Sequence, residues 1–367
     1  MQFSIKKVLQ LGMFMVSLLV LYIGAVLLQG TLNDYQPDKI IDLQSITTAT
    51  DTIIKKRDLS LLTWNIGYAG LGVDADFFYD NNKLLLSGNN MVYAPKQLNE
   101  KYLAGIISAI KKQKVDFYLL QEIDSLSDRS YQVNQIDSLA RTLPNYATYL
   151  GVNAKIAKIP IPVFEPWHLY GKVNSGVVTY SRFQPFAATR YQLPGNFDWP
   201  DNVFQLDRCA LLERFHLSDG HDLVLINVHL SAHDKDGFLK RKEMAYLQKL
   251  LMEEYLHGNY VVAGGDWNQC PPNFKFDTFA PELAAGFSQI NIEADFMPAD
   301  WQWAYDPKVP TNRKCKSPYQ LGKTFVTLID FWLVSPNVNI KKVQTINQNF
   351  ANSDHQPVLL DISVGQQ

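Results

Sequence analysis

The sequence predicts an α/β (α+β) protein: a sandwich of two sheets flanked by helices, behind one N-terminal membrane-spanning helix. Three observations point there. Strand-like apolar runs recur along the chain with amphipathic helices between several of them and with no internal repeat. The central runs are apolar throughout, so they need cover on both faces, from another sheet, from helices, or from one of each. An uncharged run, Val8–Leu28, has the length of about 20 residues that crosses a bilayer. With 47% apolar and 19% charged residues in 367, the chain suits one large or two ordinary globular domains.

In chain order, Met1–Lys7 carries Lys6 and Lys7, and the uncharged run follows. A cleaved signal peptide is the competing reading, but its apolar core is usually about 7–15 residues and ends in small side chains. Leu27-Leu28-Gln29-Gly30 is a poor cleavage site, and no cysteine follows to carry a lipid. Residues 1–30 are therefore expected to be a cytoplasmic stub and anchor, with everything after Gly30 extracytoplasmic, periplasmic or extracellular. Residues 31–57 are largely polar and read as a linker, leaving 58–365 as the main globular domain, expected to be monomeric.

Leu59–Asn65 alternates into a strand. Tyr68–Pro95 is a long loop rich in Gly, Asn and aromatics, a length that usually marks a lid or binding rim. Leu98–Lys112 places Leu98, Tyr102, Ile106 and Ile110 on one helical stripe. Val115–Leu120 is a strand running into Gln121-Glu122, and Asn134–Leu143 is a second helix, stopped by Pro144. Loops at Pro160–Tyr170 and Pro194–Pro200 bracket a strand at Ser175–Ser181. Cys209–Leu217 and Asp222–Leu230 form a hairpin through Ser218-Asp219-Gly220. Asp236–Leu256 is a long helix that Gly258 ends. Val261–Asn268 is a buried strand, and after an irregular region to Gly322 come strands at Thr324–Val334 and Pro357–Ile362.

A net charge of −2 supplies no global basic footprint, so duplex nucleic acid is possible but not favoured. Three cysteines, Cys209, Cys270 and Cys315, exclude a disulfide scaffold or a zinc-finger cluster and read as packed thiols.

The chemistry sits at strand ends. In Val-Val-Ala-Gly-Gly-Asp-Trp-Asn, alternation places Asp266 and Asn268 on one face and Trp267 on the other. An acid beside an amide suits orienting a nucleophile and holding an oxyanion; the plain alternative is an Asx turn. Asn65, Glu122, His229 and Asp330 also lie at or in apolar strands, and Ser353-Asp354-His355 precedes the last one. Such groups are costly there unless paired or metal-bound.

Thr63-Trp64-Asn65, Gln121-Glu122, Asn174-Ser175-Gly176-Val177-Val178, Asn227-Val228-His229-Leu230, Gly265-Asp266-Trp267-Asn268, Ile329-Asp330-Phe331 and Ser353-Asp354-His355-Gln356-Pro357-Val358 occur in this order over about residues 58–363. The ordered set strongly resembles the endonuclease/exonuclease/phosphatase superfamily, built on the deoxyribonuclease I fold. Trp267 is bulkier than the family's usual residue there, and the 68–96 and 160–205 insertions have no family-wide counterpart. The resemblance implies a four-layer α-β-β-α sandwich of mostly antiparallel sheets and a magnesium site, which Mn²⁺ may also fill.

Within that resemblance, Glu122 is the principal metal ligand, with Asn65 beside it and Asp354 completing the shell. Asp266 aligns and deprotonates the attacking water, and Asn268 donates to phosphoryl oxygens. His355, oriented by Asp330, stabilises developing charge. His229 is a second phosphate donor or the leaving-group acid, while Arg208 and Asn174 bind substrate phosphate. His233 and Asp234 read as solvated loop residues, and His168, His216, His221 and His257 as structural or exposed.

The function implied is a membrane-anchored Mg²⁺-dependent phosphoesterase acting on a phosphodiester or phosphomonoester, lipid-headgroup or small-molecule substrates being favoured. The alternatives are an extracytoplasmic nuclease and a catalytically silent binding module of the same fold. A silent relative is expected to lose such groups as Glu122, Asp266, Asn268, Asp330 and His355, and all five are present.

Overall fold

Two mixed sheets stack face to face in a computed structural model, which describes residues 5–365 except 196, 233, 235–236, 276–278 and 280–289. One sheet runs Ile40–Asp42, Ala187–Gln192, Cys209–Leu217, Asp222–His229, Tyr260–Asp266, Asp330–Val334 and Gln302–Ala304, with Ile53–Ile54 pairing onto Cys209–Leu217. The other runs Asn339–Thr345, Val358–Ser363, Asp58–Asn65, Phe117–Asp124, Gly171–Ser181 and Ala147–Ile159. Most pairings are antiparallel. The exceptions include Asp222–His229 with Tyr260–Asp266 and Asp58–Asn65 with Phe117–Asp124, both parallel.

Side-chain alternation divides the core into layers. Leu62 and Trp64 point outward, against Tyr102, Ile106 and Ile110 of the Lys96–Gln113 helix. Leu59 and Leu61 point inward, where they meet Leu223, Leu225, Val262 and Trp332 of the facing sheet. On the far side Val224, Ile226, Val261 and Ala263 pack beneath Leu247, Leu250 and Leu251 of the Phe238–Leu256 helix. Each such leucine contributes about 1.5–3 kcal/mol by leaving water. The order is helix, sheet, sheet, helix, as expected. All three cysteines are buried and unpaired.

Several expectations need correction. Residues 31–57 are not a free stalk throughout: Ile40–Asp42 pairs with Ala187–Gln192, and Ile53–Ile54 with Cys209–Leu217. Two short β-branched pairs, too brief to stand out, were enough to dock at a sheet edge. The Thr324–Val334 strand is broken: Val326–Thr327 pairs with Asn312–Arg313 in a separate ribbon, and Asp330–Val334 enters the main sheet. Ala147–Ile159 and Asn339–Thr345 are strands the reading passed over. The second helix is only Gln135–Ala140, its first turn capped by the Asn134 side chain.

The N-terminal helix spans Ile5–Leu32, has a mean hydropathy of 2.5 over its most apolar window, and buries none of it. Its length and composition fit a membrane span.

Candidate active site

The same alternation that builds the inner core delivers the polar groups. Leu61, Thr63 and Asn65 share a face, as do Leu225, Asn227 and His229, and as do Val262, Gly264 and Asp266. All three rows face the gap between the sheets, so where the apolar residues run out the polar ones meet. Register fixes the level: Asp266 lies opposite His229 on one neighbouring strand and opposite Asp330 on the other. Gly264 and Gly265 are required here. A Cβ on Gly264 would strike the Trp332 indole at 2.2 Å, and one on Gly265, whose φ is +150°, would strike the Val228 carbonyl at 1.9 Å.

Glu122 arrives differently. The Phe117–Asp124 strand bulges between Leu120 and Ile123, and Glu122 takes a left-handed φ of +52°. A bulge re-aims one side chain, and strain of this kind persists where the surroundings over-determine it. Glu122 is turned into the cavity. The Asn65 amide bridges it to the next acid, donating to Glu122 Oε1 at 3.1 Å and to Asp266 Oδ2 at 3.0 Å, while its own oxygen accepts the Gly67 N–H at 3.0 Å.

Asp266 is 1% exposed. Its second oxygen accepts the Asn268 backbone N–H at 2.9 Å, and the Asn268 amide donates to the Leu230 carbonyl at 2.8 Å. Two histidines flank Asp266 Oδ2, His229 Nε2 at 3.6 Å and His355 Nε2 at 3.7 Å. They are in opposite states. Burial, aided by Arg208 and His355, holds His229 well below the usual histidine range, so it is neutral. Burial would lower His355 too, but Asp330, Asp266 and Asp354 outweigh it and hold His355 well above that range. Its Nδ1 donates to Asp330 Oδ2 at 2.8 Å. Burial pushes Asp330 up to about 7 against the pull of His355, and the two titrate as a pair.

Ser353 sets the last turn. Its hydroxyl donates to the Asn65 carbonyl at 2.8 Å and accepts the His355 N–H at 3.1 Å. Asp354 then faces the Glu122 side of the cavity, where burial pushes it up to about 6, with Glu122 adding to the rise. Asp266, Asp330 and His355 bring ligand-type atoms within 4.8 Å of one another. Because His355 and Asp330 already satisfy each other, the set that suits a cation is Glu122 with Asp354. Four acids, Glu122, Asp266, Asp330 and Asp354, meet here, with Arg208, Lys240 and His355 as the basic groups around them. Hard carboxylate oxygens in small number fit a divalent ion that keeps its waters. Asn65 presents its N–H groups to the acids and its oxygen to the Gly67 N–H.

Asn174 does not join the site. Val173 and Ser175 line the cavity, and alternation turns Asn174 to the opposite face of its strand. Arg208 does join, with Nη1 3.4 Å from the His229 carbonyl. Asp234 caps the Phe238–Leu256 helix by accepting the Lys240 N–H at 2.8 Å; His233 lies outside the described residues.

Three participants went unread in the sequence. Asn312 Nδ2 sits 2.9 Å from His355 Nε2; an imidazolium there calls for the amide oxygen to face it. Lys240 is 6% exposed and donates from Nζ to the Asn268 carbonyl at 3.1 Å. Arg129 makes two bonds to Asp124, at 2.9 and 2.8 Å, and lies 3.8 Å over the Tyr68 ring. None sits at the end of an apolar strand, the signal that found the others. Together these side chains line one cavity of about 630 Å³.

The model of the Endonuclease/Exonuclease/phosphatase family matches residues 62–355. No curated protein matches the sequence. Among solved structures, an endonuclease/exonuclease/phosphatase from Beutenbergia cavernae is similar with a TM-score of 0.52 and 18% identity, covering 84% of this chain and 72% of that one. ANGEL2, a 2',3'-cyclic phosphatase, is similar with a TM-score of 0.51 and 15% identity, over 89% and 99% of the two chains. The human Nocturnin catalytic domain with bound sulfate gives 0.50 and 17%, over 89% and 97%. Family members generally use divalent metal ions. This chain belongs to the Endonuclease/Exonuclease/phosphatase family and is a hydrolase of phosphoester bonds.

Proposed function

We propose that the protein is a membrane-anchored, Mg²⁺-dependent phosphoesterase whose catalytic domain, residues 58–365, faces the extracytoplasmic side and acts as a monomer. The observation that carries it is the row His229, Asp266 and Asp330 across one sheet, facing Glu122 and Asn65 across the gap. Glu122 and Asp354 would hold the cation, and when bound it would supply positive charge beside the phosphoryl oxygens. Asp266 aligns a water and takes its proton as the water oxygen bonds to phosphorus and the ester P–O bond breaks. The His355 imidazolium, fixed by Asp330, lies beside the developing charge. Arg208 and the Asn268 amide supply further donors, and neutral His229 offers a single N–H to the phosphate or the leaving oxygen. The Val8–Leu28 run crosses the membrane with Lys6 and Lys7 on the cytoplasmic side.

Bis(p-nitrophenyl) phosphate and p-nitrophenyl phosphate, assayed with Mg²⁺ and with EDTA, test the reading. Release of nitrophenolate by wild type, its loss in EDTA and its return with Mg²⁺ or Mn²⁺ are expected. Activity that persists in full chelator would sink the metal assignment. Protection of the domain from protease in sealed spheroplasts or inverted vesicles fixes its side of the membrane.

A further inference from the structure

The cavity extends well past the catalytic groups. Beyond Arg129 and Tyr68 its wall becomes apolar: Phe78 and Leu84 come from the first insertion, Ile159 from the strand leading into the second, Ile161 and Phe204 from the second itself, and Leu206 from just after it. Asp80 on this wall has its carboxylate engaged by the Cys315 N–H at 2.8 Å. A phosphoryl group needs only a small part of 630 Å³. Phe77, Tyr79 and Tyr170 also line it, so the arm is aromatic as well as aliphatic, and its place at the membrane end of the molecule is what favours hydrocarbon over a stacked base.

The mouth of the arm lies against the end of the N-terminal helix. A Cβ on Gly30 would come within 3.0 Å of Val203 and 3.1 Å of Phe204, and Trp199 Nε1 donates to Thr31 Oγ1 at 3.1 Å. The strongly apolar stretch ends at Leu28, so Gly30 stands about 3 Å further along the helix axis. Phe204 is thus at the level where a bilayer holding that helix would end. Two loop segments bring more apolar surface to the same cavity edge. Val163 and Phe164 donate backbone N–H groups to the carbonyls of Leu84 and Leu85, each at 3.0 Å. Leu85, Phe164 and Trp167 are 57%, 49% and 80% exposed, and Trp199 is 61% exposed. Large apolar groups this exposed mark an interaction surface, and tryptophan favours the membrane interface.

We propose that the apolar arm receives the hydrocarbon chain of a membrane phospholipid, whose phosphoester then lies at Asp266 and Glu122. The lipid enters from the bilayer that anchors the protein, and the rim of Leu85, Phe164, Trp167 and Trp199 rests in its headgroup layer. This rests on the site being a phosphoesterase and on the N-terminal helix crossing the membrane.

The full chain in phosphatidylcholine vesicles is assayed on p-nitrophenyl alkyl phosphodiesters with butyl, octyl and dodecyl chains, with the corresponding alkyl phosphates alongside. Each buried methylene is worth about 0.8 kcal/mol, so kcat/KM should rise tenfold or more from butyl to dodecyl. Phe204→Asp and Ile159→Asp should flatten that rise. A flat series in wild type overturns the lipid arm and leaves the phosphoesterase standing; no cleavage of any ester overturns both. Independently of turnover, vesicles of brominated phosphatidylcholine should quench wild-type tryptophan fluorescence more than that of the Trp167→Phe/Trp199→Phe double variant. Equal quenching would remove the rim from the membrane, and the proposal with it.

Discussion

Asp266 sits between two histidines in opposite protonation states, and that asymmetry divides the labour at the site. Neutral His229 lies on one side of Asp266 and the His355–Asp330 pair on the other. Asp266→Asn keeps the volume and the Asn65 contact but cannot take the proton. Turnover should fall by about 10²–10⁴-fold with the melting temperature little changed, read by steady-state rates beside thermal unfolding. Asn65 acts through its neighbours. Asn65→Ala should raise the Mg²⁺ concentration for half-maximal rate by about 10–100-fold, a shift that a purely structural loss would not produce. At this scale the sequence was most readable where a polar residue ended an apolar strand, because burial makes such a residue expensive without a partner. Arg129, Lys240 and Asn312 gave no such signal: two lie in helical turns and one in a short ribbon, where polar side chains are ordinary.

The sheets themselves carry a buried acid with no part in this chemistry. Glu213 projects from Cys209–Leu217 into the inter-sheet core, 0% exposed, and neither oxygen finds a hydrogen-bond partner at good geometry. Thr179 is the nearest polar group, and burial pushes Glu213 up to about 8. The folded state holds this proton above the pH at which the unfolded chain releases it. The stability it contributes is therefore complete below about 4.5 and is lost as pH rises through about 8. Glu213→Gln removes the titration, so the fall in melting temperature between pH 5 and pH 9 should become shallower than in wild type. An unchanged slope would place the titrating group elsewhere. Long, strongly periodic elements such as Lys96–Gln113 and the Tyr260–Asp266 strand were legible from pattern alone. Edge strands such as Asn339–Thr345 were not, because one exposed face and the adjacent Lys341 and Lys342 look like a loop. The same blindness hid Ile40–Asp42 and Ile53–Ile54. A chain starting at residue 31 should be soluble and active, whereas one starting at 58 loses both sheet-edge pairings and should melt several degrees lower in calorimetry.

Across the whole molecule, the acids at the rim couple stability to the metal. Without a cation, burial makes Asp354 reluctant to ionise, so the folded state gives up stability as pH climbs from the ordinary carboxyl range through about 6. A divalent ion binds the ionised carboxylates of the folded chain and has no assembled site in the unfolded one, so it stabilises by mass action. The two effects make one prediction with a sign. Mg²⁺ should raise the melting temperature more at pH 8 than at pH 5, and Glu122→Gln should remove most of that increment at both. The small net charge adds a second expectation: activity on vesicle substrates should depend only weakly on salt, unlike phosphate-backbone binding. A Mg²⁺ increment that is equal at the two pH values, or that survives Glu122→Gln, would move the cation away from the Glu122–Asp354 corner. Asp266 and His355 would then have to act on the phosphate without it.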